Sequence, residues 1–327
     1  MEIIKYDRSW QQKWDSFLDQ SKNSSFLFKR NFMEYHAERF EDYSLMAIDN
    51  NQIIALLPAN INASTVYSHQ GLTYGGLLVG ITTKMPIILD AYKNIVKYLY
   101  ENGIEKLLLK PIPKIYHTHP ADEIEWALSI TKALLYRRDS TLSINNDTPL
   151  PFQERRIRSI KKAQKNNPII IEEDLGGYET FWEKVLVPNM QQKHNLNPVH
   201  SIEEIKCLAQ LFPENIKQYN IYIDGEIMAG CTMFLNQKVA HAQYISGSEL
   251  GRANGYLDYL FNFLINQKFK SYTYFDFGNS NEEAGTKINF GLMDWKEGFG
   301  ARAVSHDFYE VYTKNYMLLE NINCSNE

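Results

Sequence analysis

A repeated order of elements constrains the fold of this chain more than any other feature of its sequence. In residues 44–111, two apolar runs flank the turn Asp49–Asn51, and a strand-like, a helix-like and a second strand-like segment follow. Residues 217–278 show the same order, with Asp224–Gly225 between the apolar runs. Aspartate, asparagine and glycine in such a position indicate a hairpin. The sequence therefore predicts two similar lobes that combine strands and helices.

The second repeat contains the segment that we interpret as a cofactor cradle. Val239–Ile245 is rich in branched and aromatic residues and predicts a strand. The polar turn Ser246–Asn254 follows, apolar residues at helical spacing begin at Tyr256, and Tyr272–Phe277 predicts a closing strand. The first N–H groups of a helix have no partner within it, so a turn that leads into a helix can hold a phosphate.

Composition and charge describe an ordinary globular protein of 327 residues, 44% hydrophobic and 22% charged. The net charge of −5 argues against bulk binding of nucleic acid, so no DNA partner is expected, although a local basic patch is compatible with it. Cys207, Cys231 and Cys324 are far apart and suggest neither a disulfide framework nor a metal site. The charged N-terminal residues and the lack of a long apolar run lead us to expect a cytoplasmic protein without membrane insertion.

A polar, proline-bearing segment, Asn145–Pro151, is the predicted boundary between the lobes. We therefore expect an N-terminal lobe over residues 1–147 and a C-terminal lobe over residues 148–327. The turn at residues 69–80 of the first lobe has no lysine or arginine, so we expect that lobe to be degenerate. The second lobe opens with a basic helix, and we expect it to bind the donor and to carry the chemistry.

Several motifs of the second lobe occur together, in a fixed order, in one known group of enzymes. They are the basic helix RRIRSIKKAQK, the hairpin, the strand VAHAQYIS, the acidic strand DFGNS and a Lys-x-x-Phe-Gly element at Lys296. From Phe152 to Tyr309 the chain resembles the Fem-type branch of the GNAT acyltransferase superfamily, whose members carry two GNAT-like lobes. The resemblance is weaker before Phe152.

This resemblance implies an α/β protein, with α+β mixed sheets, made of two tandem GNAT-like lobes with a groove between them. It implies a bacterial N-acyltransferase that moves an acyl group from acyl-CoA, such as acetyl-CoA, to an amine of a sugar, an amino acid or a peptide. An aminoacyl-tRNA donor, in peptidoglycan or peptide modification, is the alternative within this class, since Fem-type aminoacyltransferases use one. A non-catalytic protein that binds a peptide or a sugar is the alternative from another class.

Gly251, Arg252 and Gly255 are the candidate cofactor-binding residues. Arg252 and Gly255 fit the GNAT pyrophosphate motif Gln/Arg-x-x-Gly-x-Gly/Ala, but Leu257 stands at its last small position. A large side chain there is expected to obstruct a pyrophosphate. The structural alternative is a loop that needs glycine for a positive φ.

Lys296 is a candidate catalytic residue. By its motif, its ammonium is expected near a developing oxyanion or a substrate carboxylate. An exposed helix lysine without a role in the chemistry is the alternative.

The central strand of the second lobe offers three polar side chains. Strand alternation predicts His241 and Gln243 on one face and Tyr244 on the other. His241 and Tyr244 are candidate catalytic groups, as a base or an orienting group, and Gln243 is a candidate for substrate binding. Asp276, at a strand end, is a further catalytic candidate. A packed core histidine and an aspartate that caps a turn are the alternatives.

Four other side chains are candidates for substrate binding. Arg158 and Lys161 share a face of the basic helix and suit phosphate or tRNA, although a solvated helix face would have the same pattern. His69 and Gln70 follow the corresponding strand of the first lobe and are predicted to line the acceptor groove. The expected acceptor is a small molecule or a peptide, and no metal is expected.

Overall fold

The computed structural model describes residues 1–194 and 196–320 and divides into two compact units. Among the described residues, unit 1 contains residues 1–139 and 305–320. Unit 2 contains residues 140–304. The chain thus leaves unit 1 once, forms unit 2 and then returns to unit 1.

The predicted division at residues 147 and 148 placed everything after it in the second lobe. Residues from Ser305 instead cluster with unit 1. The physical reason is strand pairing, because Tyr309–Tyr312 pairs antiparallel with Lys106–Leu109. Residues 321–327 of the predicted second lobe lie outside the described residues.

The strands are numbered in chain order. They are β1 (Glu2–Lys5), β2 (Glu41–Asp42), β3 (Leu45–Asp49), β4 (Gln52–Leu57), β5 (Asn60–Asn62), β6 (Thr65–Tyr67), β7 (Leu78–Val79), β8 (Lys106–Leu109), β9 (Leu134–Asn145), β10 (Ile169–Glu173), β11 (Ile216–Ile223), β12 (Glu226–Leu235), β13 (Val239–Gly247), β14 (Tyr274–Asn279), β15 (Asn281–Glu282), β16 (Lys287–Ile288) and β17 (Arg302–Tyr312).

The helices are numbered in the same way. They are α1 (Gln11–Asp19), α2 (Arg30–Met33), α3 (Met85–Glu101), α4 (Glu123–Ile130), α5 (Glu154–Gln164), α6 (Leu175–Phe181), α7 (Val187–His194), α8 (Ile202–Leu211), α9 (Glu249–Ala253), α10 (Tyr256–Phe263), α11 (Phe290–Glu297) and α12 (Met317–Glu320). A π-helical turn, Trp182–Leu186, joins α6 to α7, and a second one, Leu264–Lys268, continues α10.

Unit 1 contains two sheets. One has the strand order β1-β3-β4-β7, and in the other β8 lies between β6 and the end of β17. The strands β6 and β8 are parallel and are connected through α3. Buried side chains of α3, such as Ile95 and Leu99, share one core with Leu45, Leu57 and Leu107 of the strands.

Unit 2 contains a sheet with the order β10-β11-β12-β13-β14-β9. The strands β13 and β14 are parallel and are connected through α9 and α10, whereas the other neighbours in this sheet are antiparallel. Leu260 and Phe261 of α10 share a buried core with Cys231, Ala240 and Phe275 of the strands. The apolar periodicity that begins at Tyr256 therefore marks the face of α10 that covers the sheet.

The two units repeat the predicted order of elements. Each has a hairpin, a strand, a helical crossover and a second strand that is parallel to the first. They differ at Pro58, which separates β4 from β5, whereas β12 is continuous at the corresponding place. Proline has no backbone N–H for a strand ladder, so it suits a position between two strands. The predicted mixed α/β fold with two tandem lobes is confirmed.

In unit 2, α5 packs along α10. The guanidinium of Arg156 donates to both carboxylate oxygens of Asp258, at 2.9 Å each, and Trp295 Nε1 donates to the same carboxylate at 2.8 Å. Gly255 precedes α10 with a φ of 79°, and a Cβ at this position would lie 2.5 Å from the carbonyl oxygen of Ser159. Both the backbone conformation and the close approach of α5 therefore require glycine here.

The close approach of α5 predicts a larger stability loss for Gly255→Ala than for Gly103→Ala. Gly103 has a similar φ of 76°, but a Cβ at this position would have no atom within 4 Å. We expect Gly103→Ala to lower the free energy of unfolding by about 1–2 kcal/mol, the cost of a left-handed residue. Gly255→Ala adds a steric term of about 1–3 kcal/mol. Urea denaturation measures both, and equal losses would contradict the described packing of α5.

Candidate functional site

The parallel pairing of β13 and β14 is short. It covers three positions and ends where His241 faces Asp276. Beyond this pair, β13 continues to Gly247, while β14 follows β9 with an irregular register between Asp276 and Asn279. Within the described residues, no strand pairs with this side of β13 after His241. A gap therefore opens between the two strands, with His241 and Asp276 at its start.

His241 and Asp276 form a hydrogen-bonded pair. The distance between His241 Nδ1 and Asp276 Oδ2 is 2.8 Å. The other carboxylate oxygen accepts hydrogen bonds from the hydroxyl of Thr141 and, at 3.1 Å, from the N–H of Gly278. Asp276 is buried and His241 is 8% exposed. The carboxylate holds the neutral ring as the tautomer with its proton on Nδ1, which leaves Nε2 as the basic nitrogen.

Gln243 lies at the basic end of the ring. Its Oε1 is 3.2 Å from His241 Nε2, and its side chain is partly exposed. In this orientation both ring nitrogens face acceptor oxygens, an arrangement that suits the imidazolium. Rotation of the amide by half a turn would instead let Gln243 donate to the neutral ring. The amide can therefore serve either protonation state of His241.

Gly278 and Lys296 shape the turn behind Asp276. Gly278 has a φ of 71°, and a Cβ there would lie 3.2 Å from Cε1 of His241. The ammonium of Lys296 donates to the carbonyl oxygens of Gly278 at 3.0 Å and of Asn279 at 2.6 Å. The side chain of Lys296 is almost fully buried, so the alternative interpretation of Lys296 as an exposed helix lysine is wrong. Lys296 holds the turn that follows Asp276.

The electrostatic setting of Lys296 follows from this burial. Burial lowers the pKa of Lys296 to about 8, and the nearby charge of Asp276 acts in the opposite direction. No carboxylate forms an ion pair with Lys296 among the residues that the structure describes. Its charge is therefore balanced mainly by the dipoles of two carbonyl groups.

A β-bulge changes the predicted faces of β13. Tyr244 pairs with Thr232 and His241 pairs with Phe234 on β12, with an irregular register between Thr232 and Met233. Thr232 and Phe234 are two residues apart and lie on one face, and directly paired residues share a face. Tyr244 therefore lies on the same face as His241, and the predicted opposite placement is wrong because alternation fails at a bulge.

Tyr244 contacts a different partner from His241. Its hydroxyl is 2.5 Å from Nδ1 of His200 and accepts the backbone N–H of His200 at 3.3 Å. The ring of Trp182 packs against Tyr244 at 5.0 Å. Of the four predicted catalytic residues, His241, Asp276 and Lys296 thus come together around one turn, while Tyr244 forms a neighbouring pair on the same face.

The predicted turn Ser246–Asn254 contains the short helix α9. The N–H of Gly251 donates to Ser248 Oγ at 3.0 Å, and the N–H of Arg252 donates to the Ser248 carbonyl at 2.9 Å. The N–H groups of Asn254 and Gly255 bond to carbonyls of the same segment at 3.0 and 3.2 Å. Several amides that a phosphate would need are therefore already paired within the turn.

The side chains of the turn are also engaged. Arg252 donates to Asn189 Oδ1 at 2.7 Å and to the carbonyl of Gly247. A Cβ at Gly251 would lie 2.0 Å from the carbonyl oxygen of Met228. Leu257, expected to obstruct a pyrophosphate, packs against the core of unit 2. Backbone packing thus explains both Gly251 and Gly255.

The basic residues of α5 fall into two groups. Arg155, Arg156 and Lys162 bond respectively to Asp294, to Asp258 and to the carbonyl of Ala253. A second set, which we call the basic row, is exposed and has no side-chain partner within the described residues: Arg158, Lys161 and Lys165. The basic row lies on one face of α5 at helical spacing. Two of the predicted substrate-binding residues are therefore available to a ligand.

The predicted substrate-binding residues His69 and Gln70 lie in unit 1. His69 is buried, with the rings of His36 and Phe40 centred 5.5 and 5.6 Å away. Gln70 is exposed and exchanges two hydrogen bonds with Asn60, both of 2.8 Å. Gln243, another substrate-binding candidate, lies in unit 2 next to His241.

Two groups were missed from the sequence. Thr141 holds Asp276, and Asn189 holds Arg252. Each is far along the chain from its partner, and neither belongs to a motif. In the described part of the chain, no three His, Cys, Asp or Glu side chains are grouped as metal ligands, and no helix is long and apolar enough to cross a bilayer.

The burial of Lys296 predicts a pH-dependent stability difference. The folded-state pKa of about 8 is below the usual lysine value of 10.5, so the unfolded chain binds more protons between these values. The free energy of unfolding of the native protein, relative to Lys296→Met, should therefore rise as pH increases from about 8 to about 10. Denaturation at several pH values measures this difference.

Lys287→Met is the matched control for that experiment, because Lys287 is exposed. Its stability difference from the native protein should stay constant over the same pH window. Parallel stability curves for the native protein and Lys296→Met would contradict the described burial of this ammonium.

Comparisons with known proteins bear on the fold. No protein-family model matches the chain, and no curated protein sequence matches it. Among solved structures, FemX matches with a TM-score of 0.69 at 11% identity and covers 98% of this chain and 100% of its own. L-PGS from Bacillus licheniformis matches with a TM-score of 0.59 at 12% identity, over 96% of each chain.

A conserved protein of unknown function from Bacteroides thetaiotaomicron also matches, with a TM-score of 0.58 at 9% identity, over 95% of this chain and 99% of its own. These alignments include nearly the whole of each chain, and therefore both units. Identities this low support the fold alone. The chain has the fold of FemX, with the two tandem α/β lobes that its sequence predicted.

Proposed function

We propose that unit 2 catalyses acyl transfer to an amine and that His241 is the general base. The observation that carries this proposal is the His241–Asp276 pair at the point where β13 and β14 separate. A neutral histidine whose Nδ1 donates to a buried carboxylate has a fixed tautomer, with Nε2 as the basic nitrogen. Ligands of α/β sheets commonly bind at the carboxyl ends of strands, which is where this gap opens.

The chemistry needs no covalent intermediate on the enzyme. The acceptor amine attacks the carbonyl carbon of an activated acyl group, and a C–N bond forms. Nε2 of His241 takes the proton that the amine nitrogen loses, and the bond between the carbonyl carbon and the leaving oxygen or sulfur breaks. The leaving group then receives that proton, so the ring returns to its neutral form.

Asp276 and Gln243 support the two states of the ring. Asp276 stabilises the imidazolium that forms when Nε2 takes the proton. Gln243 donates to the neutral ring in one amide orientation and accepts from the imidazolium in the other. Lys296 acts indirectly, because its ammonium bonds to the carbonyl of Gly278, whose N–H donates to Asp276. We assign it a positioning role.

For the donor, we propose aminoacyl-tRNA in preference to acyl-CoA. Four backbone N–H groups of the turn, those of Gly251, Arg252, Asn254 and Gly255, are paired within it, and the side chain of Arg252 is bonded to Asn189 and Gly247. The basic row, by contrast, is exposed and unpaired among the described residues, and it lies on the helix that packs against Gly255. Regularly spaced cations suit successive phosphates of a nucleic acid backbone.

Acyl-CoA is the second candidate donor. The observation that favours it is the free edge of β13 after His241, which can pair with an amide-bearing chain such as the pantetheine arm. An amine of a sugar, an amino acid or a peptide is the proposed acceptor for either donor. A cytoplasmic site of action is part of the same proposal, since both donors are made there.

The proposed base predicts a large loss of activity in His241→Gln. We expect kcat to fall by roughly 10²–10⁴-fold, the usual contribution of a general base. Asp276→Asn should cause a loss of similar size, and the double variant should lose little more, because the two residues act as one unit. Transfer of a labelled acyl group from each donor to a panel of amino sugars, amino acids and peptides measures the activity.

His119→Gln is the matched control, since His119 is exposed and, among the described residues, its side chain bonds only to Thr118. Full activity in this variant with a large loss in His241→Gln supports the proposed base. Equal activity in all variants would remove His241 from the chemistry. If neither donor is used by the native protein, the non-catalytic alternative is the correct one.

The basic row predicts salt-dependent binding of tRNA. Changing Arg158, Lys161 and Lys165 to glutamine should weaken binding and reduce the slope of log affinity against log salt by about 2, since each lost phosphate contact removes about 0.7–0.9. The charge-matched control is the same change at Lys13, Lys132 and Lys314 of unit 1, which should leave the slope unaltered. An equal effect of both sets would show that only net charge matters.

A thermal-shift comparison of acyl-CoA and deacylated tRNA separates the two donors. Stabilisation by CoA thioesters but not by tRNA would overturn the aminoacyl-tRNA donor and support the second candidate. Stabilisation by tRNA that is lost in the basic-row variant would support the first.

A further inference from the structure

Two basic side chains of unit 1 lie at the carboxyl ends of neighbouring parallel strands. His69 follows β6 after one intervening residue, and Lys110 directly follows β8. The two segments are tied together, because the N–H of Lys110 donates to Ser68 Oγ at 2.9 Å and the N–H of Ser68 donates to the carbonyl of Leu108 at 2.8 Å. The two segments that carry these side chains are therefore held together at one edge of the sheet.

The ammonium of Lys110 has only neutral partners. It donates to the carbonyl of Leu72 and, at 3.5 Å, to the carbonyl of Gln70. Among the described residues, no carboxylate forms an ion pair with it. An ammonium has three N–H donors, so these two contacts leave one available. Burial, with the nearby positive charge of Arg137, lowers the pKa of Lys110 to about 7.

His69 provides an unsatisfied polar atom beside this cation. His69 is 3% exposed and has a φ of 68°. Its Nδ1 has no hydrogen-bond partner within the described residues. Burial and the positive charges of His36 and Lys110 lower the pKa of His69 to about 3, so the ring is neutral at pH 7. A buried polar atom without a partner costs about 1–3 kcal/mol, which a ligand that bonds to it would offset.

The neighbouring charges do not neutralise Lys110. Arg137 adds a second positive charge and is itself paired with Asp139, through two bonds of 2.9 and 2.6 Å. The ring of Phe308 covers the guanidinium at 4.4 Å. What remains is an excess of positive charge at Lys110, next to a buried imidazole with a free nitrogen.

We propose that Lys110 and His69 form a binding site in unit 1 for a carboxylate or phosphate group. The neutral ring of His69 carries a proton on one nitrogen, and with that proton on Nδ1 it donates a hydrogen bond to the anion beside the ammonium. Anions of this kind are common on amino acids, peptides and sugar phosphates. Assigning the bound anion to the acceptor rests on the proposed function, whereas the site itself does not.

Protection of Lys110 from chemical modification tests the site in the native protein. Acetic anhydride at neutral pH reacts with the neutral amine, so Lys110 should be modified faster than Lys106, whose ammonium is bonded to Glu310 at 3.2 Å. Inorganic phosphate or acetate should each slow the reaction at Lys110 and leave Lys106 unaffected, as read by peptide mass spectrometry. Protection by one anion alone identifies the chemical class, and protection by neither overturns the site.

Variants provide the second measurement. Phosphate or acetate should raise the melting temperature of the native protein and of Lys106→Gln, but not of Lys110→Gln. Equal shifts in all three proteins would overturn the proposal. Because both experiments measure binding of simple anions, they give an answer even if the proposed transfer reaction is wrong.

A kinetic measurement tests the assignment to the acceptor. If the anion belongs to the acceptor, Lys110→Gln should raise KM for the acceptor and leave kcat nearly unchanged, since the contact is made equally in the ground and transition states. An unchanged KM, together with protection by phosphate, would overturn that assignment and leave a site for free phosphate.

Discussion

The hydrogen bond between His241 and Asp276 lies at the last of three paired positions of β13 and β14, and the surrounding geometry depends on that short pairing. Two parallel strands that stayed paired would bury this edge of β13 in the ladder. Since β14 turns to follow β9 instead, the ring of His241 keeps a small exposed part beside a buried carboxylate. The same divergence of strands thus places the His241–Asp276 pair at the end of the ladder and leaves His241 partly accessible.

A buried carboxylate has to be compensated by hydrogen bonds, and three elements contribute to that compensation. Thr141 comes from β9, the N–H of Gly278 from the turn, and the ring of His241 from β13. Lys296 of α11 fixes the turn through two carbonyls. The nearby charge of Asp276 offsets only part of the burial that lowers the pKa of Lys296.

The sequence predicted the order of the elements and several side chains that the candidate site brings together, because both depend on local pattern. Apolar alternation and turn residues located β11 to β14. The motifs that contain Asp276 and Lys296 were recognised through their resemblance to one family. The failures have specific causes. The bulge in β13 broke the alternation that assigned Tyr244 a face, and bulges leave no mark in a single sequence.

Pairing between distant segments was equally beyond local pattern. An apolar run such as Ile169–Ile171 is typical of a buried strand, yet β10 is an edge strand whose Ile169 is 62% exposed. Lys110 carried no sequence signal, since its surroundings come from the loop at Leu72 and from Arg137. Part of the polar turn before Tyr256 forms the short helix α9, and Ser248 and nearby carbonyls pair four of its N–H groups.

The return of the chain to unit 1 has a consequence for the order in which the protein is made. A ribosome delivers residues 140–304, which are sufficient for unit 2, before it delivers Tyr309–Tyr312. Until those residues emerge, β8 can pair with β6 but lacks its antiparallel partner on the other side. Unit 2 can therefore fold first, while unit 1 presents an open strand edge, the kind of surface that chaperones shield during synthesis.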